Sequence, residues 1–246
     1  MMHSVVVKNS EMAAFNDTEA FLSWEEGPYW TRVQQIFAPK LSSELNKAST
    51  VLEVGCGKSV YLSMVKDSNL HVVGVDISKA LLKLNSHGER VLGDGENLAF
   101  APQSFDYVLC VGSIHHMPDK EQAINEIAKV CKKNLFIIEP HSMSANWFYW
   151  AARKGILRLF GYEKVKKWAG FVAPHESFVS KRTIEKNLPD FRINIKFYSP
   201  FRAPPLKIFS RINFGAINNF LEKVPGIRRM GTYIVIEAER VRGHLQ

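Results

Sequence analysis

Two apolar runs, each leading to an acidic residue, constrain the fold of this 246-residue chain more than any other feature. Residues 51–59 read VLEVGCGKS, and residues 72–76 read VVGVD. Glycines allow a sharp turn and a close approach to a ligand, and the helix that follows such a turn offers backbone N–H groups. An acid at the end of the second run can accept hydrogen bonds from ribose hydroxyls. The order predicts a nucleoside-binding βαβ unit.

The residues around the glycine turn distinguish between nucleoside cofactors. A dinucleotide fingerprint needs a third glycine where Val60 stands, and a phosphate-binding loop needs a glycine where Leu52 stands. Glu53 precedes the turn, where its charge would repel a pyrophosphate but suit an ammonium and a sulfonium. The turn therefore favours S-adenosylmethionine over NAD or a nucleoside triphosphate.

With two further segments, the chain resembles the class I S-adenosylmethionine-dependent methyltransferases, and most of all their type 11 group, which includes quinone C-methyltransferases. The resemblance covers about residues 25–140 and rests on four segments taken together, 51–59, 72–76, 93–100 and 105–116. It implies an α/β fold: a doubly wound, mainly parallel, seven-stranded Rossmann-like sheet with a helical substrate cap. It also implies an enzyme whose cofactor is S-adenosyl-L-methionine.

The resemblance assigns the cofactor contacts to loops that follow the strands. The backbone of Gly55–Gly57 would hold the methionine end, Asp76 the ribose and Asp94 the adenine amino group. The implied cofactor-binding residues are Glu53, Gly55, Cys56, Gly57, Asp76, Ile77, Asp94, Gly95, Glu96, Val111 and Tyr29. Three of these have simpler readings when taken alone: a helix N-cap for Asp76, a turn for Asp94 and a partner of the backbone donors in the glycine turn for Glu53.

The order of elements predicts a mainly parallel sheet. A 3.6-residue apolar period predicts a helix over 120–131. Residues 1–24 look weakly ordered. The aromatic and apolar positions of residues 24–37 predict a helix, and the resemblance places it over the cofactor with Tyr29 or Trp30 as lid residues. For Trp30, the alternative is packing on the sheet. Strands are expected at about 51–54, 71–75, 90–92, 106–111, 134–139, 191–198 and 231–238.

We expect three parts along the chain. Residues 1–140 hold the lid helix and the cofactor-binding part of the Rossmann-like domain, and 141–190 form a basic helical cap insert. Residues 191–246 supply the closing strands of the same sheet, with a helical insert at about 200–230. The resemblance implies that the last strand is antiparallel.

Charge is distributed unevenly between these parts. Residues 1–140 contain 13 Lys and Arg against 17 Asp and Glu, whereas 141–246 contain 19 against 7. Such a basic half typically meets phosphate, nucleic acid or an anionic membrane, with a solvated basic surface as the alternative. A helix over 146–162 would place tryptophans beside Lys and Arg on one face. Such a face suits a membrane interface or an anionic amphiphile; the alternative is a helix that packs against the core. The predicted substrate-binding residues are His141, Trp147, Trp150 and Arg153.

The best-placed catalytic base is the pair His115-His116, directly after the fourth predicted strand. Adjacent side chains point in different directions, so at most one of the two faces the site, and packing or hydrogen bonding is the alternative role. Glu139 and His141 are further candidates, and His175 is a weaker one. Methyl transfer from a sulfonium needs alignment and sometimes a base. No metal-ligand set stands out, and we expect no metal.

These observations predict a methyltransferase that acts on a small or lipid-like acceptor, anionic or membrane-associated. The first alternative is an RNA methyltransferase that tracks phosphates with its basic half; the second is a cofactor-binding regulator without catalysis. Three cysteines without metal spacing indicate a reducing compartment, no secretory signal is visible, and no uncharged apolar run is long enough to span a bilayer. We therefore expect a cytoplasmic protein and leave peripheral contact with the membrane open.

Overall fold

The computed structural model describes residues 2–25, 37, 41, 43–45, 48–59, 70–140, 155, 158–161, 164, 178–198 and 233–241. Within them, seven strands form one sheet in the order β3-β2-β1-β4-β5-β7-β6. β1 to β5 are parallel, and β7 runs antiparallel to both β5 and β6. This confirms the predicted mainly parallel α/β sheet. The strands are β1 Thr50–Val54, β2 His71–Asp76, β3 Glu89–Leu92, β4 Phe105–Val111, β5 Cys131–Pro140, β6 Phe191–Tyr198 and β7 Tyr233–Arg240.

The central strands are buried on both faces, which explains their nearly continuous apolar sequences. In β1, Leu52 and Val54 join one core cluster, while Val51 joins the other. Each fully buried Leu or Ile contributes roughly 1.5–3 kcal/mol relative to an exposed one. Both clusters therefore stabilise the sheet and hold the strand ends in register.

Helices begin where polar side chains cap them. The hydroxyl of Ser78 accepts from the Leu81 N–H, and the carboxylate of Asp119 accepts from the Gln122 N–H. The described helices are α1 Met2–Phe15, α2 Thr18–Glu25, α3 Lys79–Leu84, α4 Lys120–Val130 and α5 Lys181–Asn187, with a 3-10 helix at Ile114–His116. The predicted helix over 120–131 corresponds to α4.

The expectation of weak order at residues 1–24 is wrong, because α1 and α2 occupy almost all of that stretch. Val7 and Ala14 are buried, and Glu11 between them is buried as well. These positions follow an i, i+4, i+7 spacing on one helical face. The helix is thus held by a buried stripe that includes a charged residue.

Several predicted features lie outside the described residues. The lid residues Tyr29 and Trp30 are among them, as are most of the cap insert 141–190 and the insert at about 200–230. The division of the chain into three parts stays a prediction.

The sheet order reverses between β1 and β4, which leaves a crevice at the carboxyl ends of these two strands. Two turns meet there. Gly55 has a φ of 68°, and a Cβ on it would lie 2.1 Å from the Oγ of Ser113. The position therefore requires glycine for two reasons, the left-handed backbone and the approach of the β4 turn.

Gly55→Ala is expected to lower the free energy of unfolding by about 3 kcal/mol, because left-handed strain of about 1–2 kcal/mol adds to overpacking of about 1–3 kcal/mol. Gly161→Ala is the matched control: its φ is 76°, but no atom of the described part of the chain lies within 4 Å of the added Cβ. The control should lose only the part of the free energy of unfolding that comes from left-handed backbone strain. Denaturant unfolding measures both variants, and equal losses would contradict the close approach.

Candidate functional site

A cleft opens at the carboxyl ends of β1, β2 and β4, where the sheet order reverses. Its empty volume, which includes open solvent at the mouth, is about 1090 Å³. Apolar side chains supply much of the wall, and α1 and α2 contribute Lys8, Glu11, Phe15 and Phe21. The rest of the wall comes from the strand ends, from the loops and the 3-10 helix that follow them, and from α3: Glu53, Gly55, Cys56, Gly57, Val75, Asp76, Ile77, Leu81, Gly93, Asp94, Gly95, Val111, Gly112, Ser113, His116, Met117 and Pro118.

Asp76 is held in the cleft wall by backbone donors. Its Oδ2 accepts from the Gly57 N–H at 2.8 Å, and its Oδ1 accepts from the Ser78 N–H at 2.7 Å. Burial raises the pKa of the Asp76 carboxyl, although the two N–H groups act in the opposite direction. The N-cap of α3 is Ser78. The N-cap alternative for Asp76 is therefore wrong, and the carboxylate connects the glycine turn to the end of β2.

Glu53 and Cys56 form the part of the wall beside the glycine turn. Glu53 is buried, and its carboxylate accepts a hydrogen bond from the Ser59 hydroxyl. Burial, with the nearby charge of Glu53, raises the pKa of the Cys56 thiol far above its ordinary value. A thiol of this kind stays protonated and packs, so Cys56 shapes the cleft without acting as a nucleophile.

Asp94 joins the cleft to the N-terminal helix. Its Oδ1 accepts from the Glu96 N–H, and Lys8 of α1 lies 2.6 Å from its Oδ2. Lys8 also pairs with the carboxylate of Glu96, which in turn accepts from the Asp119 N–H. Glu96 is not among the described residues of the wall. It sits behind Asp94 and fixes the loop, and its predicted contact with the cofactor stays a prediction.

Glu139 organises the turn that follows β4. Its side chain is fully buried and accepts from the backbone N–H groups of Ser113 at 3.0 Å and Ile114 at 2.8 Å. It also lies 2.7 Å from the Nδ1 of His115. Glu139 and His115 are therefore structural, and neither is among the described residues of the cleft wall. The expectation that each is a candidate base is corrected accordingly.

His116 is the histidine of the pair that lines the cleft. Its ring packs against that of His115, with 3.9 Å between centroids, and against the edge of Phe15 at 4.9 Å. Its Nδ1 lies 3.2 Å from a carboxylate oxygen of Glu11. The expectation that at most one histidine faces the site agrees with this arrangement.

The wall of the cleft contains every predicted cofactor-binding residue that the structure describes, except Glu96. The other predicted site residues lie outside the described part of the chain: Tyr29, His141, Trp147, Trp150 and Arg153, and the weaker candidate His175.

Sequence reasoning missed the contribution of α1. Lys8 and Glu11 lie in a stretch that looked weakly ordered, and their partners are far away along the chain. The available signal was the spacing of Val7, Glu11 and Ala14, which places all three on one helical face.

The charges in the cleft fit S-adenosylmethionine. The described wall contains one lysine, already paired with Asp94, and four carboxylates: Glu11, Glu53, Asp76 and Asp94. The three carboxylates at the strand ends suit a ligand with an ammonium, a sulfonium and a ribose, whereas a polyphosphate would be repelled. Glu11 lies on α1, beside His116. Gly55 and Gly57, with φ of 68° and 49°, allow the sharp turn of the backbone beside the cleft.

Comparison with known proteins agrees with this chemistry. The family model described as "Methyltransferase domain" matches residues 52–138. These residues form a class I S-adenosylmethionine-dependent methyltransferase domain of the type 11 group. The methyltransferase domain thus coincides with β1 to β5, and its cofactor is S-adenosylmethionine.

The relatives of the methyltransferase domain have different acceptors in their names. A probable tRNA methyltransferase 9B from Homo sapiens is 31% identical over 121 residues, which are 47% of this chain and 25% of that protein. A ubiquinone biosynthesis O-methyltransferase from Hahella chejuensis is 27% identical over 157 residues, which are 58% of this chain and 64% of that protein. The chain therefore spans about a quarter of the length of the first relative and under two thirds of the second.

Solved structures share the fold over most of the chain. The magnesium protoporphyrin IX methyltransferase from Synechocystis PCC 6803 with bound S-adenosylmethionine superposes with a TM-score of 0.59. It has 15% sequence identity and covers 96% of this chain and 97% of that one. A possible histamine N-methyltransferase from Thermotoga maritima gives 0.56 at 18% identity, covering 93% and 99%. At these identities the likeness shows the Rossmann-like fold alone.

Glu139→Gln is expected to lower the free energy of unfolding by about 2 kcal/mol or more, because an amide donor replaces an acceptor of charge-assisted hydrogen bonds. Glu239→Gln on β7 is the matched control, since its side chain is 67% exposed and its partner Arg192 lies 3.7 Å away. The control should change stability by no more than about 0.5 kcal/mol. Denaturant unfolding measures both, and a Glu139→Gln protein as stable as the control would contradict the structural role of Glu139.

Proposed function

We propose that this chain is an enzyme that transfers a methyl group from S-adenosylmethionine to a small or lipid-like acceptor, anionic or membrane-associated. The observation that carries the proposal is the wall of the cleft. Phe15, Phe21 and Met117 supply apolar surface, and the one lysine in the described wall is paired with acids. An apolar acceptor gains free energy on entering such a cleft, at roughly 25 cal/mol per Å² of apolar surface buried.

Each side chain at the strand ends is assigned a contact with the cofactor. Asp76 accepts hydrogen bonds from the ribose hydroxyls, and Asp94 accepts from the adenine amino group beside Gly95. Glu53 and the backbone of Gly55–Gly57 lie against the methionine end of the cofactor. Cys56, Ile77 and Val111 complete the wall by packing. When bound, the cofactor supplies an electrophilic methyl group on a sulfonium.

The location of the protein is part of the same proposal. The basic composition of residues 141–246 supports contact with an anionic membrane surface from the cytoplasmic side. Among the described residues, no helix is long and apolar enough to cross a membrane. The helix predicted over 146–162, with Trp147, Trp150 and Arg153, is the proposed contact.

A second candidate function is methylation of RNA. Its support is the same basic half and the names of relatives, which include a tRNA (carboxymethyluridine(34)-5-O)-methyltransferase from Saccharomyces cerevisiae, 28% identical over 86 residues. A basic surface would track phosphates, and the affinity for RNA would then fall steeply with salt. The described wall of the cleft, with four carboxylates, does not itself offer a phosphate track.

The test supplies methyl-labelled S-adenosylmethionine together with unfractionated tRNA and vesicles of anionic lipid loaded with quinols. We expect label in the solvent-extracted lipid fraction and none in the acid-precipitated RNA. Label in RNA alone, with binding that weakens by a factor of 10 or more between 50 and 200 mM salt, would establish the second candidate. Tight cofactor binding without label in either fraction would contradict the proposal and favour a regulator. Asp76→Asn serves as the background control in each arm.

A further inference from the structure

A buried carboxylate from outside the matched methyltransferase domain reaches the histidine in the cleft. Glu11 belongs to α1, is 4% exposed and lines the cleft. One of its oxygens lies 3.2 Å from the Nδ1 of His116, whose side chain is 12% exposed. The two atoms are not aligned as a hydrogen bond in this structure. A carboxylate at this distance still favours a ring proton on the nitrogen that faces it.

The ring of His116 is also held on its sides. The ring of His115 packs against it, and His115 is itself bonded to the buried Glu139. Phe15, one turn after Glu11 on α1, meets the ring of His116 at an interplanar angle of 83°. Packing therefore holds the position of the imidazole before any acceptor enters.

His116 lies among charged side chains. Among the described residues, Glu11 contacts its Nδ1, the ring of His115 packs against it, and its charge acts on Asp76 at the end of β2. Glu139 lies behind His115, and Lys8 of α1 and Lys120 of α4 bring positive charge near the surrounding carboxylates. A proton taken up at Nε2 would be stabilised by the carboxylate of Glu11 in a partly desolvated site.

We propose that Glu11 is a positioning residue that makes His116 a general base for an acceptor with a phenol-like hydroxyl. The inference rests on the proposed methyltransferase function and names its acceptor class. A neutral amine has a lone pair ready for attack, whereas a hydroxyl must lose a proton. Histidine, with an ordinary pKa of about 6.5, matches a hydroxyl with a pKa of about 10 far better than an aliphatic alcohol. The aromatic side chains of Phe15 and Phe21 in the cleft wall suit the ring of such an acceptor.

The Nε2 of His116 takes the proton of the acceptor hydroxyl while an oxygen lone pair forms the new bond to the methyl carbon. The bond between that carbon and sulfur breaks, and its electron pair stays on sulfur, which becomes a neutral thioether. Glu11 stabilises the imidazolium formed on His116, and the proton then leaves to solvent.

The first test follows His116 by NMR in the full chain labelled with ¹⁵N-histidine. We expect the wild type to carry its proton on Nδ1 and to have a higher His116 pKa than Glu11→Gln, by about one unit or more. Glu11→Asp should restore part of this shift, whereas Glu19→Gln, at an exposed position in α2, should leave it unchanged. The same titration curve in wild type and Glu11→Gln would overturn the positioning role.

The second test compares two acceptors of the same shape, an alkylphenol and the matching alkylaniline, with S-adenosylmethionine. We expect methylation of the phenol, a kcat at least tenfold lower in Glu11→Gln, and an unchanged KM for the cofactor. Methylation of the aniline alone, or of neither probe, would overturn the inferred acceptor class.

Calorimetry with S-adenosylmethionine separates failure of this inference from failure of the proposed function. Wild type and Glu11→Gln are expected to bind the cofactor equally well. Equal binding with an unchanged His116 titration rejects the role of Glu11 alone. Absence of cofactor binding in the wild type rejects the proposed function itself.

Discussion

The arrangement of the cleft depends on one buried carboxylate, that of Glu139. A buried charge is costly unless hydrogen bonds surround it, and Glu139 receives them from the turn after β4 and from His115. This requirement fixes the turn at Ile114–His116, which brings Ser113 against Gly55 and directs His116 to the cleft wall. The end of β5 thereby determines the geometry at the ends of β1 and β4.

The two halves of the site come from different parts of the chain. The strand ends supply the glycine turn, Asp76 and Asp94, a set that lies within the matched methyltransferase domain. The N-terminal helix α1 supplies Lys8 and Glu11, which lie before it in the chain. We propose that the first set binds the cofactor. The second faces the same cleft and is where we place the preparation of the acceptor.

Much of the sheet and of the cofactor side of the cleft was predictable from the sequence. β1 and β2 are apolar runs with the glycine turn between them, so local pattern alone identifies them. α1 was not predictable in this way, because β-branched residues at 5–7 have low helix propensity and its stripe includes Glu11. Lys8 meets a partner 86 residues away, which no local pattern reveals. The different roles of His115 and His116 depend on Glu139 and Glu11, and these become neighbours only in the folded chain.

The central claim is that this cleft binds S-adenosylmethionine through Asp76, and calorimetry tests it most directly. The account predicts micromolar binding to the wild type and a loss of about 1.4 kcal/mol or more, a factor of 10, in Asp76→Asn. Asp190→Asn is the control, because Asp190 has a 73% exposed side chain near Arg240 and lies outside the described wall of the cleft. It should bind as the wild type does. Equal affinity in Asp76→Asn and wild type, or no binding to the wild type, would contradict the account.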